Sequence, residues 1–442
     1  MFHSDRSSPR WYLPFFTIWS GQVFSLLGST VVQFALIWWL TQTTGSGAVL
    51  AAATLAGMLP GIIIGPLAGV YVDRWNRRLV MIFADGLVAL IALWLAYVFW
   101  RGNATVWYIY LALLIRGLGG AFHFPAMQAS TSLMVPKSQL TRIAGMNQTL
   151  HGLMNIFGPP LGALLIAWMP IWAILLIDVV TALVAIIPLL FVTIPQPHRI
   201  GATGGIRRSQ SSIWFDLVAG FRYVVNWPGA LILFGMAMAI NFLLTPTASL
   251  LPLLVTRYFL GGAIHLAGFE SAWGIGMVVG GLLLSVWGGF KRRIYTSLMG
   301  LSLLGVGILI VGAAPSWALW MAVAGFFIGG VMIPITNGPL YAIVQASVRP
   351  DMQGRVLTLV GSLISVMSPL SLAIAGPVSD LIGVRPLFIA SGLLCLSMGV
   401  AGFFIPALIH LEEHPGTAVS TIEIGKVAVE PGIPVPNPET SD

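Results

Sequence analysis

Apolar positions in this chain show no period of two; they run on for twenty or more residues at a time, separated by short polar segments. About 20 such residues carry a helix across a bilayer core, where no water exists to satisfy a free backbone group, so each run reads as a helix. Twelve spans follow: 14–41, 47–72, 78–100, 105–134, 139–168, 170–193, 228–256, 265–289, 293–313, 315–347, 355–380 and 386–410. Spans longer than about 25 residues must tilt or project beyond the hydrocarbon. The alternating signature of a membrane β-barrel is absent.

The longest polar break, 194–227, divides the helices six and six; it holds Pro195, Pro197, a flexible GATGG run and Arg207-Arg208. The pattern predicts a cytoplasmic N-terminus over 1–13, a six-helix bundle over 14–193, this linker, a second bundle over 228–410 and a disordered tail over 411–442. Ile213 to Asn226 is expected as a short interfacial helix. The tail carries six of the fourteen acidic residues and five prolines. The halves repeat at an offset of about 210 residues. The basic loop after helix 2 is echoed by GGFKRR from Gly288, and PKSQLTR from Pro136 by RPDMQGR from Arg349. Two parallel six-helix repeats suit a carrier that rocks about a central site. The expected fold class is all-α integral membrane, with twelve transmembrane helices in two six-helix pseudo-repeats.

Charge fixes the orientation. Only 8% of residues are charged, yet 17 of the 21 Lys and Arg fall on the side that also holds both termini. They are Arg6, Arg10, Arg74, Arg77, Arg78, Lys137, Arg142, Arg199, Arg207, Arg208, Arg222, Lys291, Arg292, Arg293, Arg349, Arg355 and Lys426. By the positive-inside rule that side is cytoplasmic, which predicts a multi-pass protein of the inner (plasma) membrane. The polar, basic start and the long run behind it do not resemble a cleavable signal. The net charge of +7 is this topology signal, and no nucleic-acid partner is expected. Cys395, the one cysteine, lies inside helix 12 and carries no redox information.

Candidate chemistry is sparse. In GVYVDRWNRR, Gly69 to Arg78, the loop after helix 2 must turn tightly, and Asn76 is expected to supply a left-handed residue. Asp73 there can meet an arginine or the start of a neighbouring helix, a contact that differs between two states. Ionisable residues at membrane depth mark a pathway or a partner. Asp178 and Arg116 lie near mid-helix, whereas Asp85 and Glu270 are expected nearer the surface. All four are candidates for proton coupling, Asp178 first. Polar residues recur along single faces: Gln22, Ser29 and Gln33 on helix 1; Asn147, His151 and Asn155 on helix 5; Asn241 and Thr245 on helix 7, with His123 near Arg116's face of helix 4. Such stripes face a partner helix or an aqueous cavity. Pro159 and Pro160 remove two backbone donors from helix 5 and are expected to bend it, and Gly152, Gly158 and Gly162 allow close helix approach. There is no phosphate loop, Cys/His metal cluster or catalytic constellation, so neither an enzyme nor a cofactor is expected.

The spacing Gly69, Asp73, Arg74, Arg77, Arg78 resembles the loop signature of the major facilitator superfamily, with Asn76 where glycine is usual. RGLGGA from Arg116 is similar to that superfamily's helix-4 pattern, and Gly158-Pro159-Pro160-Leu161-Gly162 looks like the antiporter signature of drug exporters. WSGQVFSLLGS at Trp19, LTQTTGSGAVL at Leu40, VDRWNRR at Val72 and GRVLTLVGSL at Gly354 resemble the third drug:proton antiporter family, with its macrolide-efflux proteins and enterobactin exporters. The resemblance implies a proton-coupled exporter of amphipathic drugs, with protons, a small organic substrate and membrane lipids as partners, and a monomer. Siderophore exporters and lysophospholipid carriers share the fold; a non-transporting membrane sensor is the alternative from another class. Ser285 stands where Asp73 stands in the first half, so any lock is asymmetric.

Overall fold

The structure is a computed structural model that describes residues 11–194, 221, 225, 227–348 and 350–411, without the side chains of 66, 70, 73, 137, 350–355, 357 and 358. The tail beyond 411, nearly all of the expected interfacial helix and the Asp73 side chain lie outside the described residues. The helices are α1 Tyr12–Thr44, α2 Gly47–Arg74, α3 Arg77–Trp100, α4 Val106–Met134, α5 Leu140–Trp168, α6 Ile171–Phe191, α7 Pro228–Leu253, α8 Ala263–Trp287, α9 Arg293–Ala313, α10 Leu319–Ser347, α11 Pro350–Ile382, α12 Arg385–Gly402 and the short α13 Pro406–Ile409. Among the described residues, twelve helices are long and apolar enough to cross a membrane.

The boundaries differ from the sequence reading where local chemistry intervenes. α12 stops at Gly402 rather than 410, because Ile405 before Pro406 is held extended (φ −95°, ψ 105°). α10 begins at Leu319 rather than 315, since the chain first turns through Pro315, whose carbonyl accepts from Ala318 N at 2.9 Å. Asn76 is not left-handed: it is extended (φ −70°, ψ 108°) and caps α3, its Oδ1 accepting from Arg78 N at 3.1 Å and Leu79 N at 3.4 Å. A two-residue connection and a side-chain cap together turn the chain without positive φ. α5 runs unbroken through Pro159 and Pro160.

α1–α6 and α7–α12 form separate bundles that meet along two seams, α2 against α11 and α5 against α8. Packing along the membrane normal is uneven. At the end away from the basic loops a single buried apolar cluster draws on all twelve spanning helices, from Leu36, Leu50 and Leu95 through Leu175 and Leu250 to Phe269, Phe326 and Phe388. At the basic end the clusters are separate. Ile18, Val72, Met81 and Leu189 belong to the first bundle; Leu233, Ile294, Ile343 and Val356 to the second. Among the described residues the halves therefore share an apolar cluster at one end and none at the other.

The joined end is also tied by polar contacts. Gly45 ends α1 in the left-handed region (φ +57°), where glycine costs least, and Ser46 then starts α2. Asp380 of α11 accepts from Ser46 Oγ at 2.7 Å, Gly47 N at 2.6 Å and Ala48 N at 3.1 Å, so a carboxylate of one half caps a helix of the other. A side chain at Gly47 would strike Ser379, 1.7 Å from an ideal Cβ, so only glycine permits this approach. On the other seam Ser271 Oγ of α8 donates to Ile156 O of α5 at 2.8 Å. Farther along α2, Gly61, Gly65 and Gly69 share the face of Gly47 and Ala51, yet a Cβ at any of the three would meet nothing within 4 Å.

Asp380→Ala removes three hydrogen bonds to a charged group and should loosen this end. In a Cys395→Ser background, maleimide labelling of a cysteine placed at buried Ala51 is expected to accelerate at least about tenfold, the ratio given by about 1.4 kcal/mol, whereas labelling at Lys291 should not change.

Candidate functional site

The first bundle holds a buried network of ionisable groups. Arg116 of α4 is ion-paired with Asp178 of α6, which is fully buried. Arg116 Nη2 also donates to Ser29 O at 3.1 Å, and Ser29 Oγ of α1 donates to Asp178 Oδ1 at 3.0 Å. Three helices thus share one ion pair whose charges are compensated and hydrogen-bonded, the condition under which burial is tolerated. Glycines allow the approach: an ideal Cβ at Gly28 would lie 2.2 Å from Thr181 Oγ1 of α6, and one at Gly117 2.2 Å from Gly57 O of α2. That accounts for two of the glycines that flank these residues in the sequence.

A second pair lies two helical turns towards the basic end, seven residues from Arg116 to His123 on α4 and seven from Ser29 to Gln22 on α1. Asp85 of α3, about two turns from the basic end of its helix, is buried laterally, because α3 packs against both α4 and α6. Its Oδ2 accepts from Gln22 Nε2 at 3.0 Å, while its Oδ1 lies 3.4 Å from His123 Nε2. That nitrogen is buried and makes no hydrogen bond. Asp178 therefore has a full countercharge in Arg116, whereas Asp85 has a neutral amide and an imidazole.

Two connected cavities reach this network. The inner one, about 210 Å³, is lined by Ser29, Asp85, Arg116, Gly120, Gln22 and His123. The larger, about 550 Å³, is lined by Trp19, Gln22, His123, Gln128, Asn147 and His151 among others. Gln22, Leu26 and His123 line both, so Asp85 and its partners stand at the passage between them. Trp19 Nε1 donates to Asn147 Oδ1 at 2.8 Å across the α1–α5 side of the larger cavity. The result is a polar recess in the first bundle, lined by α1, α4 and α5.

The other candidates scatter. Gly158 and Gly162 seat α5 on α1, where Cβ atoms would meet Thr30 at 2.4 Å and the Phe34 ring at 2.8 Å; Gly152 touches nothing closer than Val278 of α8, at 3.8 Å. Gln33 and Asn155 are exposed and line neither cavity. Asn241 Nδ2 bonds back to Ala237 O at 3.1 Å, and Thr245 Oγ1 lies 3.1 Å from Ser368 Oγ of α11, so at least part of the α7 stripe is a helix seam. Glu270 of α8 is half-buried and has no hydrogen bond or ion pair among the described residues. It lies opposite the exposed apolar face of Ile264, Ile275, Leu282 and Val286, and so points into the protein. Asp380, Trp19 and Gln128 escaped the sequence reading. For Asp380, the available signal was a carboxylate at the far end of α11 and a Ser-Gly helix start at α2.

Arg116→Ala should leave Asp178 charged, buried and unpaired, at a cost of about 3–5 kcal/mol. Replacing both, Arg116→Met with Asp178→Leu, is expected to recover most of the lost thermal stability, measured as the apparent Tm of detergent-purified protein.

The profile of the Major Facilitator Superfamily matches residues 18–372. Macrolide efflux protein A of Streptococcus pyogenes is 34% identical over 390 residues, which are 88% of this chain and 95% of that protein. The multidrug efflux pump Tap of Mycolicibacterium fortuitum is 29% identical over 406 residues, 87% of this chain and 93% of its own length. Among solved structures, the nucleoside transporter NupG superposes with a TM-score of 0.65 at 13% identity, covering 87% of this chain and 98% of that one. A bacterial homologue of the lysosomal transporter Spinster, in an inward-facing and unoccupied conformation, gives 0.62 at 14% identity, covering 96% and 100%.

Proposed function

The chain belongs to the major facilitator superfamily, and on that premise we propose that it is a proton-coupled exporter of amphipathic drugs such as macrolides. The observation that carries the reading is the Gln22–Asp85–His123 cluster, placed where the larger cavity meets the buried Arg116–Asp178 pair. The similarity to macrolide and multidrug efflux proteins supplies the substrate class, a small organic molecule. By the positive-inside rule we read the open end as cytoplasmic, with both termini on that side of the plasma membrane; the working unit in this proposal is a monomer.

In this reading the structure is the state that loads drug. The halves are parted at the cytoplasmic end, so the larger cavity is reached from there, and the far end is held shut by the common apolar cluster and the Asp380 cap. Asp85 gives up its proton to the open cavity, and the drug enters as it leaves. Rocking of the halves then turns the site outward, where a proton from outside returns to Asp85 and the drug departs. Ordered this way, each ligand is bound by the state that lacks the other, which is what couples two opposed fluxes. Asp178, enclosed and matched by Arg116, keeps α1, α4 and α6 in register in this reading, and the titrating role moves from Asp178 to Asp85 with His123 as its partner.

In a pump-deficient cell the chain should lower macrolide accumulation, and a protonophore should abolish the effect. In everted vesicles Asp85→Asn is expected to lose drug-dependent proton movement at least about tenfold while drug binding stays within about twofold, since the amide keeps the shape but does not titrate. Unchanged proton movement in folded Asp85→Asn protein would return the role to Asp178 or Glu270. Orientation is checked separately: a cysteine at Asn103 should label from outside intact cells, and one at Lys291 only after permeabilisation.

A further inference from the structure

Of the three arginines in the turn from α2 to α3, two are occupied. Arg77 Nη1 donates to Ala129 O of α4 at 2.9 Å, and Arg78 reaches the carbonyl of Leu190 in α6. Leu190 lies in the last turn of α6, where carbonyls lack a helical partner of their own, whereas Ala129 O also accepts from Ser132 Oγ at 2.9 Å. Arg74 is exposed and has no hydrogen bond or ion pair among the described residues.

Beside it lies a crevice of about 680 Å³, lined by Arg74, Trp75, Phe83, Leu87, Leu118 and Phe122 among others. Its origin is in the packing: α2 and α3 each rest on α4 but scarcely touch one another, so the gap between them is floored by α4. Trp75 stacks on Phe122, with ring centroids 6.1 Å apart and planes 17° from parallel, and forms one wall. The mouth faces outward, since Trp75 is 51% and Phe83 73% exposed, and Phe83 continues the exposed apolar row of Leu79, Leu90 and Leu93 along α3. The crevice shares no lining residue with the larger polar cavity of the first bundle and meets the inner one at Ala84 and Gly119. Arg74 closes α2 at the level where a basic side chain and a tryptophan meet lipid headgroups, with hydrocarbon-facing residues one and two turns deeper.

We infer that this crevice is a phospholipid site: an acyl chain lies in the apolar slot and the phosphate of an anionic headgroup is held by Arg74. Its occupant comes from the leaflet at the basic end, where a negative surface potential and an uncommitted cation attract each other. The lining supports lipid over transported drug because it is apolar apart from Arg74 and Asn76, Arg74 is the one cation in it among the described residues, and it shares only Ala84 and Gly119 with the cavity of the Asp85 cluster. The inference does not depend on what the chain transports.

The test is native mass spectrometry of the full chain, purified in detergent and incubated with equimolar phosphatidylglycerol and phosphatidylcholine of matched acyl chains. Wild type should retain phosphatidylglycerol in about fivefold preference. Arg74→Gln should retain lipid with the preference reduced to about parity, Arg101→Gln at the opposite end should keep it, and Leu87→Trp, which fills the slot, should lower total retained lipid; monodispersity and circular dichroism confirm that each variant is folded. Equal retention of both lipids by wild type, an unchanged preference in Arg74→Gln, or undiminished retention in Leu87→Trp would overturn the assignment. Loss of bound phosphatidylglycerol on adding a macrolide in equal molar excess would make the crevice a drug pocket and overturn it too.

Discussion

A helix inside hydrocarbon must satisfy every backbone hydrogen-bonding group without water, and the architecture of this chain depends on where that rule is strained. Pro160 has no N–H to offer the carbonyl of Ile156, four residues earlier in α5. Ser271 of the opposite half supplies the missing donor at 2.8 Å, with Gly274 one turn on giving α8 room to come close. A defect in one helix becomes the polar contact of the α5–α8 seam. Pro160, half of the pair that the sequence marks as a bend, also exposes one carbonyl to the other bundle. The α2–α11 seam inverts the chemistry: there the unpaired groups are N–H donors at a helix start, and Asp380 is the acceptor.

The spans were legible because apolar run length is a nearly direct readout of bilayer thickness. The ends were less so. The stop of α12 depends on Pro406, and the Asn76 cap on a turn of only two residues, and both are decided by local competition that average hydropathy does not register. Arg116 and Asp178 could be picked out as buried charges, since few exist, but their pairing joins residues 62 positions apart and needed the fold. The lateral burial of Asp85 against α4 and α6 was not legible, because distance along a helix measures depth from the nearest end and says nothing of neighbouring helices. Asp380 was not legible for a related reason: two of its three donors are backbone N–H groups, which have no letter in the sequence, and the third, Ser46, is 334 residues away.

The two halves share a plan and divide the work. The ion-paired network draws only on α1, α3, α4 and α6. The second half answers with hydroxyl contacts such as Thr245 to Ser368, and with Glu270, which has no described partner. The asymmetry is already visible in the loops: where the first half has Asp73, the second has Ser285, whose hydroxyl bonds back to Leu282 O within its own helix.

The open stretch of α2 carries a kinetic implication. Gly61, Gly65 and Gly69 continue the face on which Gly47 and Ala51 already meet α11. A surface of bare backbone has no rotamers to freeze, so ordering of that surface adds almost nothing to the cost when another helix settles on it, while each long side chain in its place would add up to about 2 kcal/mol. Nor does it have knobs that must disengage before it parts. Helix faces of this kind trade adhesion for speed: weak enough to separate, smooth enough to meet in more than one register, and insensitive to which residues of the partner arrive first.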